Sequence, residues 1–321
     1  MSILSLLVYI ALQLLFIPLA IVGAVLVGYK QIAVSKRMGI SQTAIEILNG
    51  RWTMHVFGLR DDEATARLAH VLPNTSVTGL AAALFPLWVK YKMSGRHFLY
   101  PKAPQSGHES LAELVTARTV YFDQVIERVL ADAEQFVLLG AGYDTRAYGR
   151  FRRDGLALFE VDQASVQEHK RAMVAKAGID TTDVCFVPVD FSKDDLFEEL
   201  TKAGYDRSKK TLFLWEGVTL YLKEEDVRKN MRAVRDNSGP GSVLLADIYG
   251  KRFIDIGKKG ATEKTLQATG EGLQFWLPFD QDHERVLAGF VESEGLKVGE
   301  TFFMGSAKEK GPFMVVAEMG V

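Results

Sequence analysis

Residues 136–150 read "FVLLGAGYDTRAYGR", four apolar residues followed by a Gly-Ala-Gly step and a polar run. Such an apolar run predicts a strand buried on both faces of a parallel sheet, with the loop at its carboxyl end. Gly140 and Gly142 can take positive φ and, lacking Cβ, let a ligand lie against Ala141 and the main chain around it. The N–H groups that follow point outward as at a helix N-terminus, which suits a carboxylate or a phosphate. A dinucleotide fingerprint needs a third glycine where Thr145 stands, so a pyrophosphate is disfavoured. The same residues also suit a tight strand-to-helix turn that binds nothing.

Three further strand-like runs end in complementary chemistry. "LALFEVD" ends at Asp162, roughly 20 residues beyond the glycines, where a carboxylate can accept both hydrogen bonds of a ribose diol. "VCFVPV" leads into Asp190 and Phe191, an acceptor for an exocyclic amine and an apolar face for a purine. "TLFLW" leads into Glu216, a partner for an ammonium group. Each has a plainer role open to it: Asp162 and Asp190 as helix N-caps, Glu216 as a satisfied charge at a sheet edge. Open parallel sheets bring their strand carboxyl ends to one crevice. Taken together, the four ends fit a ribose, an aminated purine and an amino-acid zwitterion, which describes S-adenosylmethionine.

The elements that must position these residues follow from about Ser110 onward. Helical periodicity over 111–132 leads into a strand at 136–139. Strands then alternate with helices at 156–162, 184–189, 211–215 and 242–248, which predicts an α/β fold on a mainly parallel sheet. After a helix at 281–294, "LKVGETFFM" and "PFMVVAEM" flank a turn-rich connector short enough for an antiparallel hairpin. Five parallel units closed by a hairpin match the seven-stranded Rossmann-like sheet of class I methyltransferases.

In order along the chain, "ARTVYFDQVI", "LLGAGYDTRAY", "FEVDQ", "PVD" and "LWEGVTLYL" resemble the leucine carboxyl methyltransferase-like family of S-adenosylmethionine-dependent methyltransferases. The resemblance runs from about Leu111 to the C-terminus. It implies that Arg118 binds the methionine carboxylate, with the bidentate fork suited to that group. It further implies Gly140 and Gly142 on the methionine backbone, Asp162 on the ribose, Asp190 and Phe191 on adenine and Glu216 on the amino group. Gly149 and Arg150 replace the family's usual Arg-Leu pair, and Thr219 stands where a bulkier apolar residue is common. Those departures bear on the acceptor rather than the cofactor.

No charged side chain occurs before Lys30, and the apolar stretch of residues 3–29 exceeds the roughly 20 residues a membrane-crossing helix needs. A cleaved signal would carry a basic start and a shorter apolar centre. With Lys30, Lys36 and Arg37 following the run, a single span would leave the bulk of the chain in the cytoplasm. Pro18 makes a re-entrant, monotopic insertion the other reading. "GLAAALFPLWVKYKMSGR" at 79–96 is too short to span and fits either a headgroup-level segment or a core helix. The expected organisation is a transmembrane helix over 1–29, a membrane-proximal helical region over 30–108 and a methyltransferase domain over 109–321.

A chain of 321 residues, 48% apolar, can bury a large core, and its net charge of −2 argues against a nucleic-acid surface. Cys185, the one cysteine, reads as a small buried residue, and the histidine spacings do not suit a metal site. Tyr143, Tyr221 and His283 are the candidate bases for a hydroxyl acceptor, while a carboxylate acceptor would need none. The stretch 250–279 suits a substrate lid, with Thr219, Phe275, Trp276 and Phe279 lining an apolar acceptor pocket. The function expected is membrane-anchored O-methylation of a lipophilic small molecule, with the membrane as partner and self-association compatible with it. Carboxyl methylation of a protein C-terminus, nicotinamide-dependent oxidoreduction and a non-catalytic scaffold are the alternatives.

Overall fold

A computed structural model describes residues 3–258, 272–280, 282–307 and 310–321. Seven strands form one sheet in the order β3-β2-β1-β4-β5-β7-β6. They are β1 Gln135–Leu139, β2 Ala157–Asp162, β3 Val184–Pro188, β4 Thr211–Trp215, β5 Val243–Tyr249, β6 Lys297–Met304 and β7 Met314–Gly320. Strands β1 to β5 pair in parallel, and β7 pairs antiparallel with β5 and β6. This is the class I methyltransferase arrangement expected from the alternating runs and the closing hairpin.

Side chains alternate across the sheet, so each strand feeds two cores. Val137 and Leu139 join the cluster holding Phe213, Trp215 and Leu244, while Phe136 and Leu138 join Phe122, Leu212 and Leu245. Helices α6 Leu114–Val129, α7 Ala164–Lys176, α8 Leu196–Lys202, α9 Glu224–Asp236 and the later His283–Ser293 segment follow the expected order. Cys185 departs from expectation: it is exposed, on the edge strand β3.

The N-terminal region comprises α1 Ile3–Tyr29, a π-helical turn Lys30–Val34, α2 Ser35–Met38, α3 Gln42–Val56, α4 Glu63–Val71 and α5 Val77–Ser94. Pro18 lies inside α1 without dividing it, so there is no re-entrant hairpin within that helix. Packing crosses the expected boundary at 108/109. Ile45, Leu48 and Leu68 of the N-terminal helices share one buried cluster with Tyr143, Val174 and Ile179 of the sheet domain. Two apolar surfaces that meet this way are removed from water together, while the two clusters on either side of the sheet belong to the later residues alone.

Strand β1 lies between β2 and β4, where the order of the connections reverses, and that places its terminal loop at the crevice. Gly140 there has φ +68°, and a Cβ on it would lie 2.4 Å from Val218 Cγ2. Gly140→Ala is therefore expected to cost about 1–3 kcal/mol for the backbone conformation alone, with the clash added. Urea unfolding should show Val218→Ala restoring only the steric part in the double variant. Full restoration would mean that φ is not constrained at this turn.

Candidate functional site

A cleft of about 640 Å³ opens at the carboxyl ends of β1, β2 and β4. Gly140, Ala141, Gly142, Asp162, Asp190, Phe191 and Glu216 all line it, so the strand-end residues chosen from the sequence converge. Arg118 sits just behind the wall: its Nη atoms lie 3.6 and 3.7 Å from the place a Cβ on Gly217 would occupy.

Asp162 is held by the main chain. Gly142 N–H donates to Oδ2 and Gln163 N–H to Oδ1, each at 2.7 Å. Burial raises its pKa, opposed by those two donors. Each oxygen retains acceptor capacity beyond the one N–H it receives, as a diol would need. Asp190 is more exposed and pairs with Lys193 Nζ at 2.6 Å, a contact that lowers its pKa. Phe191, 8% exposed, presents an apolar face beside it.

Glu216 has a different setting from the one its motif implies. Arg51 Nη2 lies 2.9 and 2.8 Å from its two oxygens, Arg146 Nη1 2.6 Å from Oε2 and Arg118 Nη2 3.2 Å from Oε1. With three guanidiniums on one carboxylate, an incoming ammonium would have to displace a cation. The network extends through Asp144 (3.1 Å from Arg51, 2.5 Å from Arg146), Asp123 (2.8 Å from Arg146, 2.6 Å from Arg60), Asp62 beside Arg60, and Asp247 (3.0 Å from Arg118). All these side chains are buried or nearly so, and burial of charge is tolerated only where such pairing exists.

Arg51 was not foreseen. The signal available was a cation on the apolar face of α3, three residues after Leu48, which is where a buried partner is needed. Arg146 and Asp144 lay inside the quoted "YDTRAY" run, and their role there is electrostatic. The same helix places Thr43, Ala44, Ile47 and Leu48 on the cleft, preceded by Ile40 and Ser41.

The acceptor-pocket and base candidates scatter. Thr219 is 1% exposed and donates to the Asp247 carbonyl at 2.7 Å, which makes it part of the β4–β5 packing. Phe275 and Phe279 lie in the core at 2% and 1% exposure, and Trp276 packs against the opposite core with Lys258 over its ring. None of these four lines the cleft; the segment carrying Phe275, Trp276 and Phe279 is drawn onto the end of β5 through Leu277 N–H to Tyr249 O. The centre of the expected lid, 259–271, lies outside the described residues. His283 packs edge-on against Phe303, away from the cleft. Tyr143 lines the cleft, but its hydroxyl is 2.7 Å from His169 Nδ1 and burial raises its pKa, so the phenol stays neutral. Tyr221 also lines it, with its hydroxyl 3.0 Å from Thr43 Oγ1.

The residues present fit a nucleoside carrying an amino-acid tail. Arg118 is 3% exposed; its Nη2 lies on Glu216, while its Nε lacks a hydrogen-bond partner among the described residues, which a carboxylate would complete. The glycine backbone, Asp162 and Phe191 offer the remaining surfaces. Fold and site thus define a class I methyltransferase. The leucine carboxyl methyltransferase model matches residues 69–235, and the chain belongs to that family of S-adenosylmethionine-dependent enzymes. Curated relatives include a Mycolicibacterium smegmatis protein 32% identical over 65% of this chain and 66% of its own, and a Mycobacterium avium protein 29% identical over 72% and 71%, both provisionally named S-adenosyl-L-methionine-dependent methyltransferases. A second M. avium relative is 36% identical over 55% of this chain, and across such relatives the chain spans from about half to just over two-thirds of their length. A Thermobifida fusca structure provisionally named a methyltransferase is 17% identical, covers 79% of this chain and 93% of its own, and has a TM-score of 0.44.

The network sets a pH dependence. Burial alone would raise Asp123, Asp144 and Glu216, but the facing guanidiniums outweigh it and hold all three below the ordinary carboxylate range. Their stabilisation is complete above the unfolded value of about 4 and is lost as pH falls through the folded values. Asp247, pushed by burial up to about 6, has the opposite sign: its contribution is full below the unfolded value and lost as pH rises through about 6. Thermal melts should therefore show Tm dropping below about pH 4. Asp144→Asn should cost about 3 kcal/mol or more at pH 7 and flatten the acid slope. An unchanged slope would remove Asp144 from the acid-labile set.

Proposed function

We propose that this chain is a membrane-bound S-adenosylmethionine-dependent O-methyltransferase acting on a hydrophobic or membrane-resident small molecule through a carboxylate or hydroxyl oxygen. The observation that carries the reading is the convergence of the Gly140–Gly142 turn, Asp162, Asp190 and Phe191 on one cleft, with Arg118 just behind its wall. Gly39, Ile40 and Ser41, which follow α2 at the end of the N-terminal helical run that begins with α1, line the cleft. That adjacency supports an acceptor delivered from lipid. The membrane attachment proposed is through α1, by a span or a monotopic insertion, with the sheet domain on the cytoplasmic side.

Bound S-adenosylmethionine supplies a methyl group on a sulfonium that departs as a neutral thioether. The chain's part is positional: Arg118 would hold the carboxylate of the cofactor, Asp162 its ribose hydroxyls, and Phe191 with Asp190 its adenine. Ile40, Ala44, Ile47, Val218 and Leu222 provide an apolar wall that excludes water from the acceptor side. An ionised carboxylate acceptor needs no base, and the two tyrosine hydroxyls on the cleft are each within hydrogen-bond distance of another side chain. A carboxylate therefore suits this site better than a phenol.

Calorimetric titration should detect S-adenosylmethionine binding and none of NAD. Asp162→Ala should weaken the former by about 10- to 100-fold, as expected for hydrogen bonds to a charged group. Labelled methyl donor with fractionated membrane lipids should mark a lipid-soluble, alkali-labile product. Labelling confined to soluble metabolites would refute the lipophilic acceptor, and undiminished affinity in Asp162→Ala would refute the cofactor pose.

A further inference from the structure

Helices α1 and α5 run antiparallel in close contact. Gly23 and Gly79 meet backbone to backbone, a Cβ on either falling 2.5 or 2.8 Å from the other's carbonyl oxygen. Phe16 packs on Phe85 with centroids 4.9 Å apart, and Tyr9 meets Phe98 edge-on at 5.6 Å. The opposite face of α5 lies on the globular body. Val77, Leu80 and Leu84 pack against the cluster of Ile45, Leu48 and Leu68, and Tyr91 stands 5.7 Å from the buried ring of Phe57. Spacings of three, four and seven residues put these on one helical face, while Gly79, Pro86 and Lys90 are buried on the other.

α1 is therefore a second layer over the body, tethered near both ends. Tyr9 is held through Phe98, two residues before Tyr100, whose hydroxyl reaches within 3.7 Å of the Cβ place of Gly50. At the other end Asn74 Nδ2 donates to Ser35 Oγ at 3.0 Å. The helical rise between these tethers is about 39 Å. A helix crossing a bilayer needs hydrocarbon around it through about 30 Å, and over that length α1 has protein beside it.

The outward face is another matter. Leu4 is 64% exposed, Leu15 72% and Leu26 39%, an apolar stripe along the helix with Phe85, Met93 and Leu99 beside it. Residues 1–45 and 72–108 carry seven Lys and Arg and no Asp or Glu, in a chain of net charge −2. Antiparallel packing brings Lys92 and Arg96, both exposed, to the start of α1, while Lys36 and Arg37 are exposed at its end. Cations thus flank the exposed apolar surface at both ends, where they can meet anionic headgroups.

We infer that α1 lies in the plane of an anionic membrane surface, sunk shallowly into one leaflet on its Leu4–Leu15–Leu26 face and backed by α5, and does not cross. This rests on the membrane reading above and specifies its geometry. It also sets the cleft wall at Gly39–Ser41 beside the bilayer, since those residues directly follow α2.

The test uses the full chain in a Cys185→Ser background with a fluorophore at Leu4→Cys, Leu15→Cys or Leu26→Cys, positions spaced to share one face. Each is bound to phosphatidylcholine vesicles containing phosphatidylglycerol and nitroxide quenchers at two depths, and each is checked for retained S-adenosylmethionine binding as a sign of folding. The inference expects one common shallow depth. A Leu15 probe deeper than the other two, by up to about 16 Å for an upright helix, would establish a span and overturn the inference while leaving membrane attachment intact. Absence of quenching at all three, as when a second copy of the chain covers the stripe, would overturn both. Lys92→Gln with Arg96→Gln should weaken partition onto the anionic vesicles about fivefold per cation and leave neutral vesicles unaffected; equal partition would refute the electrostatic part.

Discussion

The ion-pair network centred on Glu216 is the constraint on which the rest of the site depends. Four guanidiniums, from Arg51, Arg60, Arg118 and Arg146, share the carboxylates of Asp62, Asp123, Asp144, Glu216 and Asp247. Those groups come from α3, the α3–α4 loop, α6, the turn after β1, and the ends of β4 and β5. Charges buried this deeply are strongly destabilising when unpaired, so each element is required to be in place for the others. The cleft floor is consequently a rigid electrostatic assembly, and it is built by both the sheet and the N-terminal helices.

That dependence explains why the helices before residue 109 are not an appendage. Arg51 contacts Glu216 and Asp144 directly, and the residues just before and after the α3 N-terminus supply the cleft's apolar wall. The family match beginning at residue 69 also takes in part of this region.

The sheet was legible because burial on two faces demands unbroken apolar runs at strands such as 136–139 and 211–215, and the loops between them are polar. Gly140, Gly142, Asp162 and Phe191 were legible because a parallel sheet fixes where strand ends must point. The acceptor pocket was not. Phe275 and Phe279 have the composition of a lid yet fill the core, since the hydrophobic effect that draws an aromatic ring to a ligand draws it equally to a sheet edge. His283 carried the right functional group, but nothing local brings the start of its helix to the cleft.

By itself, the sequence determined the strand order's raw material, the strand ends that line the cleft and the presence of a long apolar helix, because these follow from periodicity and local spacing. Tertiary structure alone decided that Glu216 is shared among three arginines, that Arg51 joins the cleft from a distant helix, and that the cations of α5 return to the start of α1. Each of these is a pairing between residues far apart in the chain. Such pairings are set by which surfaces must be buried together, and no local pattern records them.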